Sequence, residues 1–356
     1  NMIIRNDLDD LTRKLREMRR TLESRPQSKR VLSLHALYPY PLFRRLLAIL
    51  TWALVPGLAG AQANPDYSLE LITASSSWDG KRCWVHSRAG AIPPGTPGNE
   101  TDKPLIVITT QKLDIKGTDL FDGLQDFSST DLGKSWSGPN RQDGLSRRSM
   151  APNIEASPCD FTPAWHAKSA RLLGTGKTFW YRNNNHYRNA PSDTIYAVYD
   201  AGKGKWSSWR RLELPDLPQF KNCSAGCTQR YDLPGGDVLL PVYFKPALDD
   251  NDTRVTVLRC SFDGTTLRYQ QHGTELELPD KSGTDRGLGE PSLTKFGERF
   301  FMTIRCDRRA YVSTSADGLH FDPPMPWHFD DGSELGSYNT QAHWVTHSNG
   351  LFIVYT

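Results

Sequence analysis

The sequence predicts an all-β protein, a β-propeller with six or seven blades, each of them a four-stranded antiparallel sheet. One observation is a turn that contains Ser-x-Asp, a glycine and then an aromatic or apolar residue, and that recurs along the chain. Another is a glycine turn that leads into an apolar strand inside each interval. The composition agrees, because 28 Gly, 24 Pro and 10 Trp in 356 residues are typical of a loop-rich β protein. Internal repeats that each hold several short strands indicate a radial β architecture.

The recurring turns are centred on four aspartates, Asp131, Asp200, Asp263 and Asp317. The fullest copy is STDLGKSW at 129–136, and SADGLHF at 315–321 is a shorter one. An aspartate at this place can accept backbone N–H groups across a hairpin, the glycine supplies a positive φ, and the aromatic residue packs against the turn. The aspartates are 69, 63 and 54 residues apart, which predicts a series of repeated units.

The strand-like stretches can be assigned to blades in chain order. SLELITASS and KRCWVHSRAGAI are strand-like at the start of the folded part. The predicted blades are 104–131, 159–209, 223–267 and 287–326. A fifth begins near residue 338 and stops at 356 on the apolar strand LFIVYT, which would leave an open sheet edge. We therefore expect the C-terminal blades to be truncated in this sequence.

The N-terminal part differs in composition from the rest. Residues 1–45 are highly charged and basic, and we expect a disordered extension. Residues 46–63 contain the apolar run LLAILTWALVPGL, preceded by two arginines and followed by Ala-Gln-Ala, which indicates a signal peptide or an uncleaved anchor. Residues 64–356 form the predicted propeller. This arrangement predicts a secreted or periplasmic protein, with contact to a membrane only through the N-terminal segment.

Charge and cysteine content restrict the partners and cofactors. The formal net charge of +3 gives no indication of a nucleic-acid partner. The six cysteines permit disulfides in an exported chain, but the sequence does not determine their pairing. Cys223 and Cys227 lack a second pair at zinc-site spacing, so we expect no metal site and no cofactor, although a structural calcium is compatible with such propellers. We expect a monomer.

The position of polar residues within the repeat predicts a site on the propeller axis, because the first strand of each blade lines the central channel. Counting back seven or eight residues from each glycine turn reaches His166, Thr228, Glu290 and His343. The ends of the second strands add Arg182, Tyr243 and Arg305. Such groups around one channel suit acid–base or nucleophilic chemistry on an anionic ligand. The alternative is that they are satisfied polar residues that pack a narrow channel.

The aspartate turns and the stretch GEPSLTKFGERFFMTIR at 289–305 resemble the sialidase superfamily of Asp-box β-propellers, over roughly residues 68–356. The resemblance implies a glycosidase of the exo-α-sialidase type that removes a terminal acidic sugar, sialate or uronate. In that family arginines hold the substrate carboxylate, a Glu activates a nucleophilic Tyr, and an Asp is the acid–base. Glu290 and Arg305 match the family's Glu and second Arg, while Arg82 or Arg88 stands in for the first. The resemblance places the third Arg and the Tyr beyond Thr356.

A second resemblance is to propeller polysaccharide lyases of the ulvan-lyase kind. The residues that carry it are His166 in PAWHAKSA, His186 in RNNNHYR, Tyr243 in LLPVYF and Arg259 in TVLRC. It implies β-elimination, with a histidine as base, the tyrosine as acid and the arginine on a uronate carboxylate. A third possibility is a glycan-binding propeller without catalysis. Hydrolysis of an acidic oligo- or polysaccharide ranks first, since Glu290 and Arg305 lie in the best-matched stretch.

Overall fold

The computed structural model describes residues 70–115, 119–188, 190–246, 252–278, 286–336, 340–347 and 350–355. The predicted N-terminal extension and the predicted signal or anchor segment lie outside these residues. All strands belong to the larger of two compact units; of the smaller unit, the described residues include only the turn His328–Glu334. In the part of the chain described, no helix is long and apolar enough to cross a bilayer.

Within the described residues, five antiparallel sheets follow one another in chain order. The first contains β1 (Arg82–Ile92), β2 (Leu105–Asp114), β3 (Leu120–Phe121), β4 (Gln125–Ser129) and β5 (Ser137–Arg141). The second contains β6 (Arg148–Ala151), β7 (Ile154–His166), β8 (Arg171–Arg182), β9 (Asn185–His186), β10 (Thr194–Asp200), β11 (Lys205–Trp206) and β12 (Arg210–Arg211). The third contains β13 (Cys223–Ser224), β14 (Tyr231–Asp232), β15 (Val238–Phe244), β16 (Arg254–Phe262) and β17 (Leu267–His272). The fourth contains β18 (Gly289–Phe296), β19 (Arg299–Arg305), β20 (Tyr311–Ser315) and β21 (Met325–Pro326), and the fifth β22 (His343–His347) and β23 (Gly350–Val354).

Each of the first four sheets is a meander whose first strands in the chain lie at one side. The strand orders are β1-β2-β4-β5, β6-β7-β8-β10-β11, β13/β14-β15-β16-β17 and β18-β19-β20-β21, so the short β6 lies beside β7 in the second sheet. Neighbouring first strands run alongside each other, as shown by the parallel bridge between Gln229 and Ser292. We call β1, β7, β13/β14, β18 and β22 the inner strands. The all-β fold class, a β-propeller of antiparallel blades, is therefore confirmed, and the total of six or seven blades stays a prediction.

The hydrophobic core lies between consecutive sheets. Val107 of the first sheet and Phe161 of the second belong to one buried cluster. A second cluster joins the second and third sheets, and a third joins Leu239 of the third sheet to Ile304 of the fourth. Burying one Leu, Ile or Phe side chain contributes about 1.5–3 kcal/mol. These clusters hold the blades face to face and leave the inner strands to form a common edge.

The aspartate turns have the predicted hydrogen bonds. Asp317 Oδ1 accepts the backbone N–H groups of Leu319 and His320, both at 2.8 Å. Asp263 Oδ1 accepts two backbone N–H groups in the same way, and Asp131 Oδ1 accepts one at 2.9 Å. The Ser135 hydroxyl and backbone N–H lower the pKa of Asp131 to about 2. These carboxylates fix outer turns, far along the sheets from the inner strands.

Two expectations about strands are wrong. Residues 70–77 contain no strand, because nothing pairs with this part of SLELITASS, and Leu71 is exposed. Gly174 and Gly176 do not form a turn but lie inside β8, where a Cβ at Gly174 would stand 2.1 Å from the Phe161 ring. The hairpin between β7 and β8 instead turns at the 3₁₀ helix Ala167–Ser169, and Ala170 adopts a left-handed φ of 50°. The count that led to His166 began from the wrong turn.

The described structure contains no disulfide among Cys83, Cys159, Cys223, Cys227 and Cys260. All of them except Cys83 are buried. Burial raises the pKa of the Cys260 thiol to about 12, and the Asp237 carboxylate adds to this effect. At neutral pH this group is a thiol and packs as a small apolar side chain.

Candidate active site

Four inner strands carry a left-handed, non-glycine residue at a break in their pairing. These residues are His86 (φ 54°), Asp160 (φ 49°), Cys227 (φ 56°) and Glu290 (φ 45°). The register of β1, β7 and β18 shifts at these points, and Cys227 lies in the gap between β13 and β14. A non-glycine residue in this conformation costs on the order of 1–3 kcal/mol and persists only where its surroundings hold it. Bulges of this kind re-aim side chains, and they are frequent next to active sites.

The four strained residues and their partners form one group, which we call the axial cluster. Its members are His86, Arg88, Asp160, Lys177, Cys227, Tyr243, Glu290, Arg305, Gln341 and His343. Burial raises the pKa of Tyr243, and the charges of Glu290 and Asp160, one from each half, add to this effect. Backbone contacts bring the strands together, since the Cys227 N–H donates to the Asp160 carbonyl at 3.0 Å.

Asp160 lies at the centre of the first half. Its Oδ2 is 2.8 Å from Lys177 Nζ, and its Oδ1 is 2.8 Å from His86 Nδ1. Lys177 Nζ also donates to the Tyr243 hydroxyl at 3.0 Å. The side chain of Asp160 is only 5% exposed and that of Lys177 only 14%, so the pair is shielded from water. The pairing of β7 with β8 sets this contact, because Lys177 stands opposite Cys159.

The electrostatics keep this half ionised. Burial alone would raise the pKa of Asp160, but the Lys177 ammonium and His86 hold it well below its usual range. Burial would likewise lower the pKa of Lys177, but the Asp160 carboxylate holds it well above its usual range. Burial raises the pKa of Tyr243 despite the neighbouring Lys177. At neutral pH the half therefore contains a carboxylate, an ammonium and a protonated phenol.

Glu290 is the carboxylate of the second half. Its Oε1 pairs with Arg305 Nη1 at 2.8 Å across the β18–β19 hairpin, where Gly289 stands opposite Arg305. With its amide nitrogen towards Glu290, Gln341 donates to Oε2 at 3.3 Å and accepts a hydrogen bond from Arg88 Nη2. Arg88 Nη2 also donates to Cys227 Sγ at 3.3 Å. A guanidinium from the first sheet and one from the fourth are thus joined through Glu290 and Gln341.

His343 completes the second half at the start of β22. Its Nδ1 is 3.1 Å from the Ser292 hydroxyl. Burial and the positive charge of Arg88 lower the pKa of His343 to about 4, so its imidazole is neutral at pH 7. Ser292 follows the bulge at Glu290, so the same irregularity of β18 places both side chains.

The axial cluster has capacity for a ligand. Among the described residues of the cluster, Arg88 Nε and His343 Nε2 are buried without a hydrogen-bond partner. Buried polar atoms in native proteins are nearly always paired, so such orphans point to water or a ligand. The three cationic side chains of the cluster face two carboxylates, and this leaves a positive excess that favours an anionic group.

A pocket of about 210 Å³ opens beside the cluster, between the second and third sheets. We call it the lateral pocket. Its lining includes Lys177, Phe179, Trp180, His186, Asn222 and Tyr243. Two of these residues, Lys177 and Tyr243, also belong to the axial cluster. The pocket and the cluster are therefore continuous.

The structure brings together Arg88 and four of the other residues predicted from the sequence. Glu290, Tyr243, Arg305 and His343 lie in the axial cluster, and His186 lies in the lateral pocket. His186 packs against Phe179 with ring centres 4.7 Å apart. Their catalytic and binding roles stay predictions.

The other five predicted residues lie elsewhere and have partners of their own. The buried Thr228 hydroxyl donates to the Ala225 carbonyl at 3.0 Å, and Arg82 Nη1 donates to Asp122 at 3.1 Å. Both ring nitrogens of the fully buried His166 are occupied, by the Ser169 hydroxyl at 2.7 Å and the Gly236 carbonyl at 2.8 Å. Arg259 pairs with Asp237 at 2.6 Å. Arg182 is exposed, and its guanidinium stacks on a neighbouring tyrosine ring. Each side chain has a local structural role where it stands.

Sequence reasoning missed Asp160, Lys177, His86, Cys227 and Gln341. A signal for Asp160 was present, because it is the charged residue in the middle of the strand IEASPCDFTPAWH, between apolar and small residues from Ala156 to Trp165. His86 carried a weaker signal in the strand RCWVHSRAGAI. Within the described residues, no group of three or more His, Cys, Asp or Glu side chains is placed to hold a metal ion.

Comparison with solved structures supports the fold. A protein of unknown function from Dyadobacter fermentans matches with a TM-score of 0.54 and 15% sequence identity, over 77% of this chain and 75% of its own. A Hadza microbial sialidase has a TM-score of 0.49 at 14% identity, over 73% of this chain and 50% of its own. An α-L-arabinanase from Penicillium chrysogenum has a TM-score of 0.48 at 12% identity, over 75% and 74%. No protein-family model and no curated protein matches the chain. The chain is similar in fold to the first of these proteins.

Proposed function

We propose that the chain is a carbohydrate-active propeller, a glycoside hydrolase that cleaves a terminal acidic sugar, sialate or uronate, from a glycan. The observation that carries the proposal is the axial cluster, in which strained inner-strand residues hold two carboxylates, three cations and a protonated tyrosine together. Strained backbone at such a density is frequent at catalytic sites. By their names, the sialidase and the arabinanase act on carbohydrates. Their TM-scores are below 0.5, so the proposal rests on the axial cluster.

In the proposed complex, arginines hold the acidic sugar. Arg88 has a buried Nε without a partner among the described residues, and Arg305 lies beside Glu290. A guanidinium binds a carboxylate through two parallel N–H groups, which fixes the orientation of the sugar ring as well as its charge. The neutral His343 offers its unpartnered Nε2 to a sugar hydroxyl.

The proposed chemical step uses Tyr243 as nucleophile, a role that differs from the acid role that the sequence predicted for this residue. Glu290 takes the phenol proton, the tyrosine oxygen bonds to the anomeric carbon, and the bond to the leaving oxygen breaks. Lys177, 3.0 Å from the phenol oxygen, stabilises the phenolate as it forms. His86, whose Nδ1 lies 2.8 Å from Asp160 Oδ1, gives a ring proton to the leaving oxygen. A tyrosine nucleophile has precedent among glycosidases, and water then releases the sugar.

The test is turnover by the full chain on sialosides and uronate polysaccharides, with reducing-sugar release recorded beside absorbance near 235 nm. We expect release of sugar without new absorbance. Glu290→Gln should reduce hydrolysis at least about 100-fold, because an amide cannot take the phenol proton. Glu298→Gln, on the exposed turn of the same hairpin, is the matched control and should keep full activity. Wild-type turnover by Glu290→Gln would remove the proposed mechanism.

A second candidate is β-elimination, which one specific observation favours. His186 and Tyr243 line the same pocket, so a base and a protonated phenol face one ligand space. Lys177 would then take the part predicted for Arg259, on the uronate carboxylate. New absorbance near 235 nm, lost in His186→Phe and kept in Glu290→Gln, would establish elimination. Absence of both products together with saturable binding would indicate a glycan-binding propeller.

A further inference from the structure

The lateral pocket is not needed for the hydrolytic step, yet it adjoins the reacting groups. We infer that it is a subsite for a second sugar ring, so that the substrate is a glycan of at least two units rather than a single sugar on a small leaving group. This inference rests on the proposed function, because it concerns the neighbour of the sugar that the axial cluster holds.

The size and the walls of the pocket suit a sugar ring. A volume of about 210 Å³ is many times the roughly 10–15 Å³ that a single water needs. Phe179, Trp180 and Tyr187 supply aromatic surface, and Asn222 and Thr253 supply uncharged hydrogen-bonding groups. Arg188 and Lys245 join Lys177 as cationic residues of the lining. Ligand sites typically combine a mainly apolar lining with a few placed polar groups. A sugar ring presents both an apolar face of C–H groups and a rim of hydroxyls.

His186 gives the pocket an unused polar atom. Its Nδ1 is buried and has no hydrogen-bond partner among the described residues. Burial lowers the pKa of His186, so the imidazole is neutral at pH 7 and can exchange a hydrogen bond with a hydroxyl. Leaving such an atom unpaired is unfavourable, and a ligand hydroxyl would satisfy it.

The shared side chains set the position of the second ring. Lys177 and Tyr243 line the pocket and also form the Asp160 half of the axial cluster. A ring in the pocket therefore touches the same phenol that the proposed mechanism places on the anomeric carbon. The second ring must be directly bonded to the sugar that reacts.

The experiment compares binding of a disaccharide with binding of its acidic monosaccharide. Calorimetry is carried out with digalacturonate against galacturonate, and with sialyllactose against N-acetylneuraminate, on the wild-type protein and on Glu290→Gln. His186→Phe keeps the ring contact with Phe179 and removes the nitrogens, and Thr253→Val removes one hydroxyl at nearly constant volume. His272→Phe is the matched control, because His272 also contacts a phenylalanine ring, at 5.1 Å, on an outer strand.

In one of the two series, the wild-type protein should bind the disaccharide at least about tenfold more tightly than the monosaccharide. His186→Phe and Thr253→Val should each weaken disaccharide binding by roughly two- to tenfold and leave monosaccharide binding unchanged. His272→Phe should change neither. Equal affinity for both sugars in both series, or equal weakening of both by the variants, would overturn the subsite. If Glu290→Gln still turns over while the disaccharide preference holds, the proposed mechanism fails and the subsite stands.

Discussion

The ion pair between Asp160 and Lys177 gives the sharpest prediction about stability. Its atoms are 2.8 Å apart, and both side chains are largely shielded from water. Removing one partner of a buried pair typically costs about 3–5 kcal/mol, because the other charge is left without compensation. Lys177 would keep its contact with the Tyr243 hydroxyl, so we expect Asp160→Asn to lower the free energy of unfolding by about 3 kcal/mol.

The measurement is urea unfolding followed by tryptophan fluorescence, for Asp160→Asn, Lys177→Met and the double variant. The double variant should be more stable than the sum of the single changes predicts, by up to about 3 kcal/mol, since it leaves no unpaired charge. Asp200→Asn is the matched control. Asp200 pairs with Lys203 at the same distance of 2.8 Å, but both side chains are exposed, and stability should hardly change. Equal effects of Asp160→Asn and Asp200→Asn would refute the reasoning.

The pH dependence of the pair follows from the direction of the pKa shift. The pKa of Asp160 is lower in the folded protein than its ordinary value of about 3.9, so the pair stabilises the fold above that value. Its contribution is lost only as the pH falls further, through the folded-state pKa. The difference in stability between the wild-type protein and Asp160→Asn should therefore stay constant from pH 7 down to about pH 5.

Two further predictions concern the second half of the cluster. Arg305→Lys should raise KM for an acidic glycan about tenfold, because an ammonium cannot form the bidentate contact. Arg299→Lys, at the other end of the same strand, is the control and should leave KM unchanged. An unchanged KM for both variants would count against a binding role of Arg305. His343 has a folded pKa of about 4, below its ordinary value, so the folded state binds fewer protons than the unfolded chain. The free energy of unfolding should therefore fall as the pH drops from about 6.5 to 4. Urea unfolding repeated at each pH should show a flatter slope for His343→Gln. An unaltered slope would contradict the lowered pKa of His343.

How much of the site the sequence predicts depends on the local repeat. Glu290 and Arg305 could be found because they lie on one hairpin whose turn, Gly297 and Glu298, is where the pattern places it. In the second sheet the same count failed. Gly174 is a glycine because Phe161 leaves no room for a Cβ, not because the chain turns there. Because the residues were counted back from the wrong position, the count led to His166, at the far end of the strand that carries Asp160.

The remaining partners depend on contacts between distant parts of the chain. Lys177 reaches Asp160 through strand pairing, and it reaches Tyr243 only because the second and third sheets pack together. Arg88 meets Cys227 across 139 residues of sequence. Such contacts leave no periodic pattern in the sequence, since each partner is a single residue far along the chain from the other. The fold class follows from repetition, whereas the charge partners follow from how the blades are assembled.

The strain at Cys227 can be separated from the loss of its side chain. Cys227→Ala removes the thiol and keeps the Cβ that makes a φ of 56° unfavourable, whereas Cys227→Gly removes both. Relief of a left-handed residue is worth about 1–2 kcal/mol, and the extra freedom of glycine in the unfolded chain costs about 0.5–1 kcal/mol. Cys227→Gly should therefore be more stable than Cys227→Ala, by about 0.5–1 kcal/mol in urea unfolding.

Cys223, in the extended strand β13, provides the control with the opposite sign. There glycine relieves no strain, so Cys223→Gly should be less stable than Cys223→Ala by about 0.5–1 kcal/mol. If the Gly variant were less stable than the Ala variant at both positions, the conformation of Cys227 would not be strained. A reversal of sign, together with weaker glycan binding by Cys227→Gly, would indicate that the inner strand retains an unfavourable backbone because its side chain is needed beside Arg88.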